Sequence, residues 1–144
     1  MNPVFRLQKV TKRFKDQVGL DNVSLDGESG SVVALLGENG AGKTTALRIL
    51  LGLTEPDAGR AEVLGMDSQR LGLEIRRRVG YVPDRPALYE WMTVGEIGWF
   101  TAGFYPTGYL AEYQRLIQRF ELPLDRRIKA LSKGMRAKVA LSLA

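Results

Sequence analysis

Hydrophobic positions change their rhythm along this chain, and each rhythm predicts a different element. Val4–Val10 and Val18–Asp26 alternate loosely between apolar and polar side chains, as strands of an antiparallel sheet do. "GSVVALLG" is a short, continuous apolar run with β-branched residues, bounded by Gly30 and Gly37, which is the pattern of a buried parallel strand. "KTTALRILLGL" then has helical spacing at Leu47, Leu50 and Leu51, and Gly52 is placed to stop it. "GRAEVLG" predicts another strand, "SQRLGLEIRRR" a helix, and "RVGYVPD" a strand halted by Pro83.

From Asp84 the texture changes. "TVGEIGWFTAGFY" begins with Thr93 and Glu96 at capping-box spacing. "TGYLAEYQRLIQRF" puts Leu110, Tyr113, Ile117 and Phe120 on one helical face. The last stretch, "LSKGMRAKVALSLA", is a short polar motif that runs into a further helical pattern. Strands and helices alternate early and helices dominate late, which predicts an α/β core with an inserted helical subdomain. No internal repeat or low-complexity segment interrupts the pattern.

Composition then excludes several chemistries. A chain of 144 residues suits one domain, burying roughly 70% of its unfolded surface. It has no cysteine and no histidine, so disulfides, thiol chemistry, zinc sites and histidine acid–base catalysis are all out of reach. The longest uninterrupted apolar run is Val32–Leu36, far short of the roughly 20 residues a membrane span needs. The opening "MNPVFRLQKVTKRF" has no apolar core of signal-peptide length. The expectation is a soluble chain able to sit against a membrane protein. A net charge of +5 is compatible with nucleic acid, but the basic residues are dispersed, with small clusters at Arg76–Arg78 and Arg126–Lys129. The first of these closes a predicted helix, where cations suit the negative end of the dipole. No nucleic-acid partner is expected.

The strongest motif is "GENGAGKTT", Gly37 to Thr45, which fits G-x-x-x-x-G-K-[ST] between a predicted strand and a predicted helix. Glycines let successive backbone N–H groups curve around phosphate oxygens, and the following helix start adds positive potential. Lys43 is placed to reach the β- and γ-phosphates and the Thr44 hydroxyl to ligate Mg²⁺. A chance match in a chain this long is on the order of one in 200 at ordinary residue frequencies, so a phosphate loop is the reading taken forward.

The loop leaves the kind of NTPase open. Four further places narrow it: Phe14 in "VTKRFKDQVGLDNVSL", "RRVGYVPD" about forty residues after the loop, "LYEWMTVGE", and "LSKGM" last. In order and spacing the whole chain resembles the nucleotide-binding subunits of ABC transporters, the exporter type most closely. The resemblance implies an α/β P-loop NTPase fold with an antiparallel β subdomain and a partial parallel core sheet. Residues 1–83 would form that core, 84–130 an inserted helical subdomain, and 131–144 the signature motif with the start of its helix.

The same resemblance implies the site. Phe14 would stack on adenine, and Gly37, Asn39, Gly40, Ala41, Gly42, Lys43, Thr44 and Thr45 would hold the phosphates of ATP. Asp84 occupies the Q-loop position, where the family normally has glutamine, and would join Thr44 at Mg²⁺ as a hard oxygen ligand. "LSKGM" departs from the usual LSGGQ signature at Lys133 and Met135 but keeps Ser132 and Gly134. Their hydroxyl and N–H would touch the γ-phosphate bound by an opposite subunit. The implied partners are a second ATP-binding subunit, in a homo- or heterodimer, and transmembrane transporter subunits. "LYEWMTVGEIGWF" is the expected contact with the latter, although the same residues are those a helical subdomain needs for its own core. The implied location is cytoplasmic, peripheral on the inner face of the cell membrane.

Family members continue to a Walker B strand ending in Asp-Glu, a D-loop and a switch histidine, none of which has a match here. The expectation is therefore an N-terminal fragment with no catalytic residue of its own, which binds ATP without hydrolysing it although the full-length protein is an ATPase. With central strands missing, its open edges are expected to destabilise it, to drive self-association or to rearrange around the P-loop. A soluble ABC-type ATPase acting on ribosomes or DNA is the alternative, and a non-hydrolysing nucleotide-binding or regulatory module a third.

Overall fold

In the computed structural model, which describes residues 3–15 and 17–144, the loose alternation near the N-terminus becomes two long antiparallel strands, β1 (Phe5–Phe14) and β2 (Gln17–Gly27). The alternation is loose because the register shifts within β1. Leu7 faces Leu25 whereas Val10 faces Val23, so β1 carries an extra residue, and Lys9 there has a φ of 47°. The bulge lets Leu7 and Val10, three positions apart, both be buried. Strand β3 (Ala58–Val63) pairs with the other edge of β1. Strand β4 (Met66–Asp67) folds back on β3 through Leu64 and Gly65, both at positive φ as a two-residue hairpin turn needs. The sheet order is β2-β1-β3-β4.

Helix α1 (Lys43–Leu50) packs against β1, β2 and β3. Ala46, Ile49, Leu50 and Leu51 are its buried positions, and Leu47, expected on that face, is exposed instead. The C-terminal end of α1 is fully bonded. Gly52 at φ 64° turns the chain so that its N–H reaches the Ile49 carbonyl and the Leu53 N–H the Arg48 carbonyl. The buried Ser68 hydroxyl donates to the Leu50 carbonyl at 2.8 Å, and the Arg76 guanidinium donates to the Leu51 carbonyl at 2.8 Å. All four terminal carbonyls thus have partners. Arg76 comes from a short helix, α2 (Gly72–Arg76), which is much briefer than the predicted "SQRLGLEIRRR" segment.

Two predicted strands do not form. Residues 30–37 and 78–84 carry no strand pairing, and the sheet among the described residues is antiparallel only. The reason is the requirement of parallel strands for neighbours on both edges and layers on both faces. No such neighbour pairs with these segments, and Val32 and Leu36 are 99% and 90% exposed.

The chain divides into two compact units, Met1–Arg78 and Val79–Ala144. The second contains α3 (Val94–Ala102), α4 (Tyr109–Arg119) and α5 (Lys133–Leu143). Thr93 and Glu96 close both halves of the predicted capping box at the start of α3, with bonds of 3.1 and 2.7 Å. Met92, Val94, Ile97, Tyr113, Ile117, Leu122, Ile128, Leu131 and Val139 form one buried cluster, with Leu110 and Phe120 packed against it. The predicted face of α4 is therefore the one that is buried. A backbone ladder ties the chain before and within α3 to the approach to α5: Lys129 N–H to the Glu90 carbonyl, Ile128 to Met92, Val94 to Arg126 and Gly95 to Leu124, at 2.8 to 3.1 Å. Two tyrosine hydroxyls donate to the backbone, Tyr113 to the Val94 carbonyl at 2.6 Å and Tyr109 to the Leu143 carbonyl at 2.8 Å.

Two outcomes follow from these bonds. Ser68→Ala leaves the Leu50 carbonyl without its partner and is expected to cost about 1–3 kcal/mol, measured by chemical denaturation of the first unit. Burial, with a smaller contribution from Tyr105, raises the Tyr109 phenol from 10.0 to about 12. The folded form therefore holds this proton where the unfolded chain has released it, and stability present below pH 10 falls as pH rises from there to about 12. A pH titration of near-UV circular dichroism should show that loss, and Tyr109→Phe should reduce it, leaving the share of Tyr113, whose phenol burial also pushes up.

Candidate functional site

The glycine-rich loop before α1 owes its shape to Gly40 and Gly42, at φ 87° and 84°, where a side chain on the residue would be strained. A Cβ at Gly40 would meet nothing within 4 Å, so this flank of the loop is open to a ligand. A Cβ at Gly42 would strike the Gly19 carbonyl oxygen and come within 2.7 Å of Leu20 Cδ2. Gly42 is thus the point where the start of α1 touches strand β2.

No side chain caps α1 and its first turn has no acidic residue, so the first-turn amides point outward without a protein acceptor. Lys43, the first helical residue, turns its ammonium back onto the loop and donates to the Gly37 and Glu38 carbonyls, both at 2.7 Å. Asn39, Gly40, Ala41 and Thr44 are exposed, and Thr45 is half-buried. An anion arriving here meets the open amides at the start of α1 and one ammonium held by two neutral acceptors. A charge-assisted bond to phosphate is about twice as strong as one to a neutral group, so phosphate oxygens compete well for Lys43.

Phe14, at the end of β1, is 47% exposed, and its ring edge lies against Gly19, where a Cβ would fall 2.9 Å from Phe14 Cε2. Gly19 therefore links Phe14 on one side to Gly42 on the other, and the aromatic platform and the helix start belong to one corner of the first unit. Lys12 lies 5.6 Å from the centre of the Phe14 ring and is salt-bridged to Asp57 at 2.8 Å. The Lys12 bond, with help from the Arg13 N–H, holds the Asp57 carboxyl below its ordinary range. Neither Lys12 nor Asp57 stands out in the sequence, since the two are far apart in the chain and fit no motif. The same is true of Ser68 and Arg76, which fix α1 from its other end.

The remaining predicted residues lie in the second unit. Asp84 is exposed, in a segment without regular structure, and makes no side-chain hydrogen bond among the described residues. Ser132 is the N-cap of α5, its hydroxyl accepting from the Met135 N–H at 3.2 Å. Gly134 is exposed, with nothing within 4 Å of a Cβ placed there. Leu131 and Val139 anchor the motif in the helical core, so its polar face turns to solvent on a fixed base.

The aromatic-rich stretch splits in two. Met92, Val94 and Ile97 enter the core, whereas Trp91 and Trp99 are 65% and 71% exposed. Tyr89, Phe100 and Phe104 join these on the surface, with Tyr89–Phe100 and Phe100–Phe104 in edge contact at 5.5 and 5.4 Å between ring centres. No helix among the described residues is long and apolar enough to cross a membrane.

Against known proteins, residues 20–144 match the ABC transporter family. The chain is 36% identical over 148 residues to the ABC transporter ATP-binding protein NatA of Bacillus subtilis (strain 168), covering 96% of this chain and 60% of that one. It superimposes on a solved ATP-binding subunit of an ABC transporter with a TM-score of 0.84 at 32% identity, covering 98% of this chain and 61% of the other. A dimeric ATP-binding cassette, solved in a post-hydrolysis state with ADP and Pi, shares the fold at a TM-score of 0.79 and 24% identity, over 96% of this chain and 68% of its own. The chain thus spans about 60% of the length of NatA and of the ATP-binding subunit.

The two glycines of the loop should respond differently to alanine. Gly40→Ala brings only the left-handed strain of roughly 1–2 kcal/mol, because the added methyl meets nothing. Gly42→Ala adds a collision with Gly19 and Leu20, so its loss of thermal stability should be clearly the larger, by differential scanning fluorimetry.

Proposed function

Because the chain belongs to the ABC transporter ATP-binding family, we propose that it binds Mg-ATP and, paired with a second ATP-binding subunit, couples ATP hydrolysis to transport through membrane subunits. One observation carries this reading: the uncapped start of α1 behind a glycine loop, with Phe14 at the same corner, in a chain that also presents Ser132 at the start of α5. A structural glycine turn would not need an open helix end beside an exposed aromatic ring.

Each residue has a role in this reading. Phe14 offers its ring face to adenine. The amides around Gly37, Asn39, Gly40, Ala41, Gly42, Thr44 and Thr45 receive phosphate oxygens, and Lys43 leaves its two carbonyls for the β- and γ-phosphates. The exposed Thr44 hydroxyl, a hard oxygen donor in the first turn of α1, fits a magnesium ligand, and Asp84 is the second candidate. Mg²⁺, when bound, neutralises charge on the β- and γ-oxygens. Ser132 and Gly134 meet the γ-phosphate held by the partner subunit, helped by the amide ends of α5. The dimeric cassette with the same fold supports this pairing.

The aromatic cluster around Tyr89, Trp91, Trp99, Phe100 and Phe104 is the contact proposed for transmembrane subunits, which would hold the protein on the cytoplasmic face of the cell membrane.

Calorimetric titration with Mg-ATP tests the reading. Saturable binding is expected, weakened at least about tenfold by Lys43→Ala, the weight of a charge-assisted contact. Binding indifferent to both Lys43→Ala and Phe14→Ala would sink the site assignment.

A further inference from the structure

Asn39 and Gly40 form the single Asn-Gly dipeptide of the chain, and they stand at the open flank of the loop before α1. Asn39 is exposed, and Gly40 is at φ 87° with nothing within 4 Å of a Cβ placed there. Among the described residues neither the Asn39 side chain nor the Gly40 N–H enters a hydrogen bond, although the next amide, of Ala41, donates to the Glu38 carbonyl at 3.2 Å.

These features together favour a reaction of the chain with itself. Asparagine is one of the thermolabile residues, because its carboxamide carbon lies within reach of the following backbone nitrogen. A glycine there has no side chain to obstruct the ring closure, and an amide without an acceptor is free to lose its proton. Asn22 is exposed as well, but it lies inside β2 and is followed by Val23, whose branched Cβ crowds the same approach. The Asp26-Gly27 pair could form the same ring, but Gly27 is buried, and a Cβ there would strike the Phe5 ring.

We propose that Asn39 is a site of self-modification in the nucleotide-free protein. The Gly40 nitrogen attacks the Asn39 carboxamide carbon, the bond from that carbon to the side-chain nitrogen breaks, and ammonia leaves carrying the Gly40 amide proton. Water then opens the cyclic imide to aspartate or isoaspartate. No electron is transferred, and water is the only co-reactant. Either product puts a carboxylate among the loop amides, and isoaspartate also lengthens the backbone by one carbon. A carboxylate facing phosphate is a like-charge pair, so the modified chain loses its ligand. Bound nucleotide engages the Gly40 amide and slows the attack. The effect on binding rests on the proposed Mg-ATP site, whereas the ring closure does not.

Peptide mass spectrometry of the intact protein tests the proposal, after incubation at neutral and mildly alkaline pH with and without Mg-ATP. The same samples are then titrated calorimetrically with Mg-ATP, and circular dichroism confirms that they remain folded. Asn39 is expected to become an acid, faster at the higher pH because the attacking nitrogen must lose its proton, and more slowly with Mg-ATP present. The converted protein should bind Mg-ATP at least about tenfold more weakly, as a like-charge contact demands. Asn39→Asp should show that weakening from the outset. Asn39→Gln, whose longer side chain closes a ring far less readily, should keep through the incubation whatever affinity it starts with. No conversion at Asn39, or conversion as fast at Asn22, overturns the site. Conversion that leaves Mg-ATP affinity unchanged overturns its effect on binding. If fresh protein binds no Mg-ATP while Asn39 still converts, the proposed function fails and the modification site stands.

Discussion

The first unit depends on a single asymmetry in helix α1. Its C-terminal carbonyls are bonded by Gly52, Leu53, Ser68 and Arg76, whereas its first turn has neither a side-chain cap nor a carboxylate. A helix held at one end can leave the other unsatisfied, because the free energy of packing and capping is already secured elsewhere. Burial of Ile49, Leu50 and Leu51 against the antiparallel sheet fixes the axis of α1, and the contact of Gly42 with β2 fixes the point from which it starts. The open amides are thus presented at a defined place, and Phe14 reaches the same place by packing on Gly19.

The second unit solves a related problem with different parts. Its motif sits at the start of α5, whose other face is buried through Leu131 and Val139. The ladder between residues 90–95 and 124–129 prevents the approach to that helix from fraying, and the Glu90–Arg136 pair adds a side-chain tie across the same strap. The exposed aromatic cluster flanks this strap, with Tyr89 and Trp91 on either side of Glu90. The chain that carries Tyr89 and Trp91 is thus bonded directly to the approach to α5.

Backbone accounting also explains what looks unfinished. Residues 32–36 have apolar side chains and no ladder partner. Water can satisfy their amides, but exposing Val32 and Leu36 forfeits the burial that their composition is suited to, at about 25 cal/mol for each Å².

By itself the sequence determined whatever depends on neighbours a few positions away. The glycine loop, the Gly52 stop, the Thr93–Glu96 box and the buried face of α4 all follow from φ preferences and the 3.6-residue period, and all are present. The order of motifs was enough to identify the family. Tertiary structure alone decided matters of distant pairing: the bulge that buries Leu7 with Val10, the Ser68 and Arg76 bonds to α1, and the Lys12–Asp57 bridge beside Phe14. It also decided which apolar residues near Trp91 face the core, and that two strand-like segments stay unpaired. Periodicity records which side chains would profit from burial. Whether a partner is there to bury them is a property of the assembled chain.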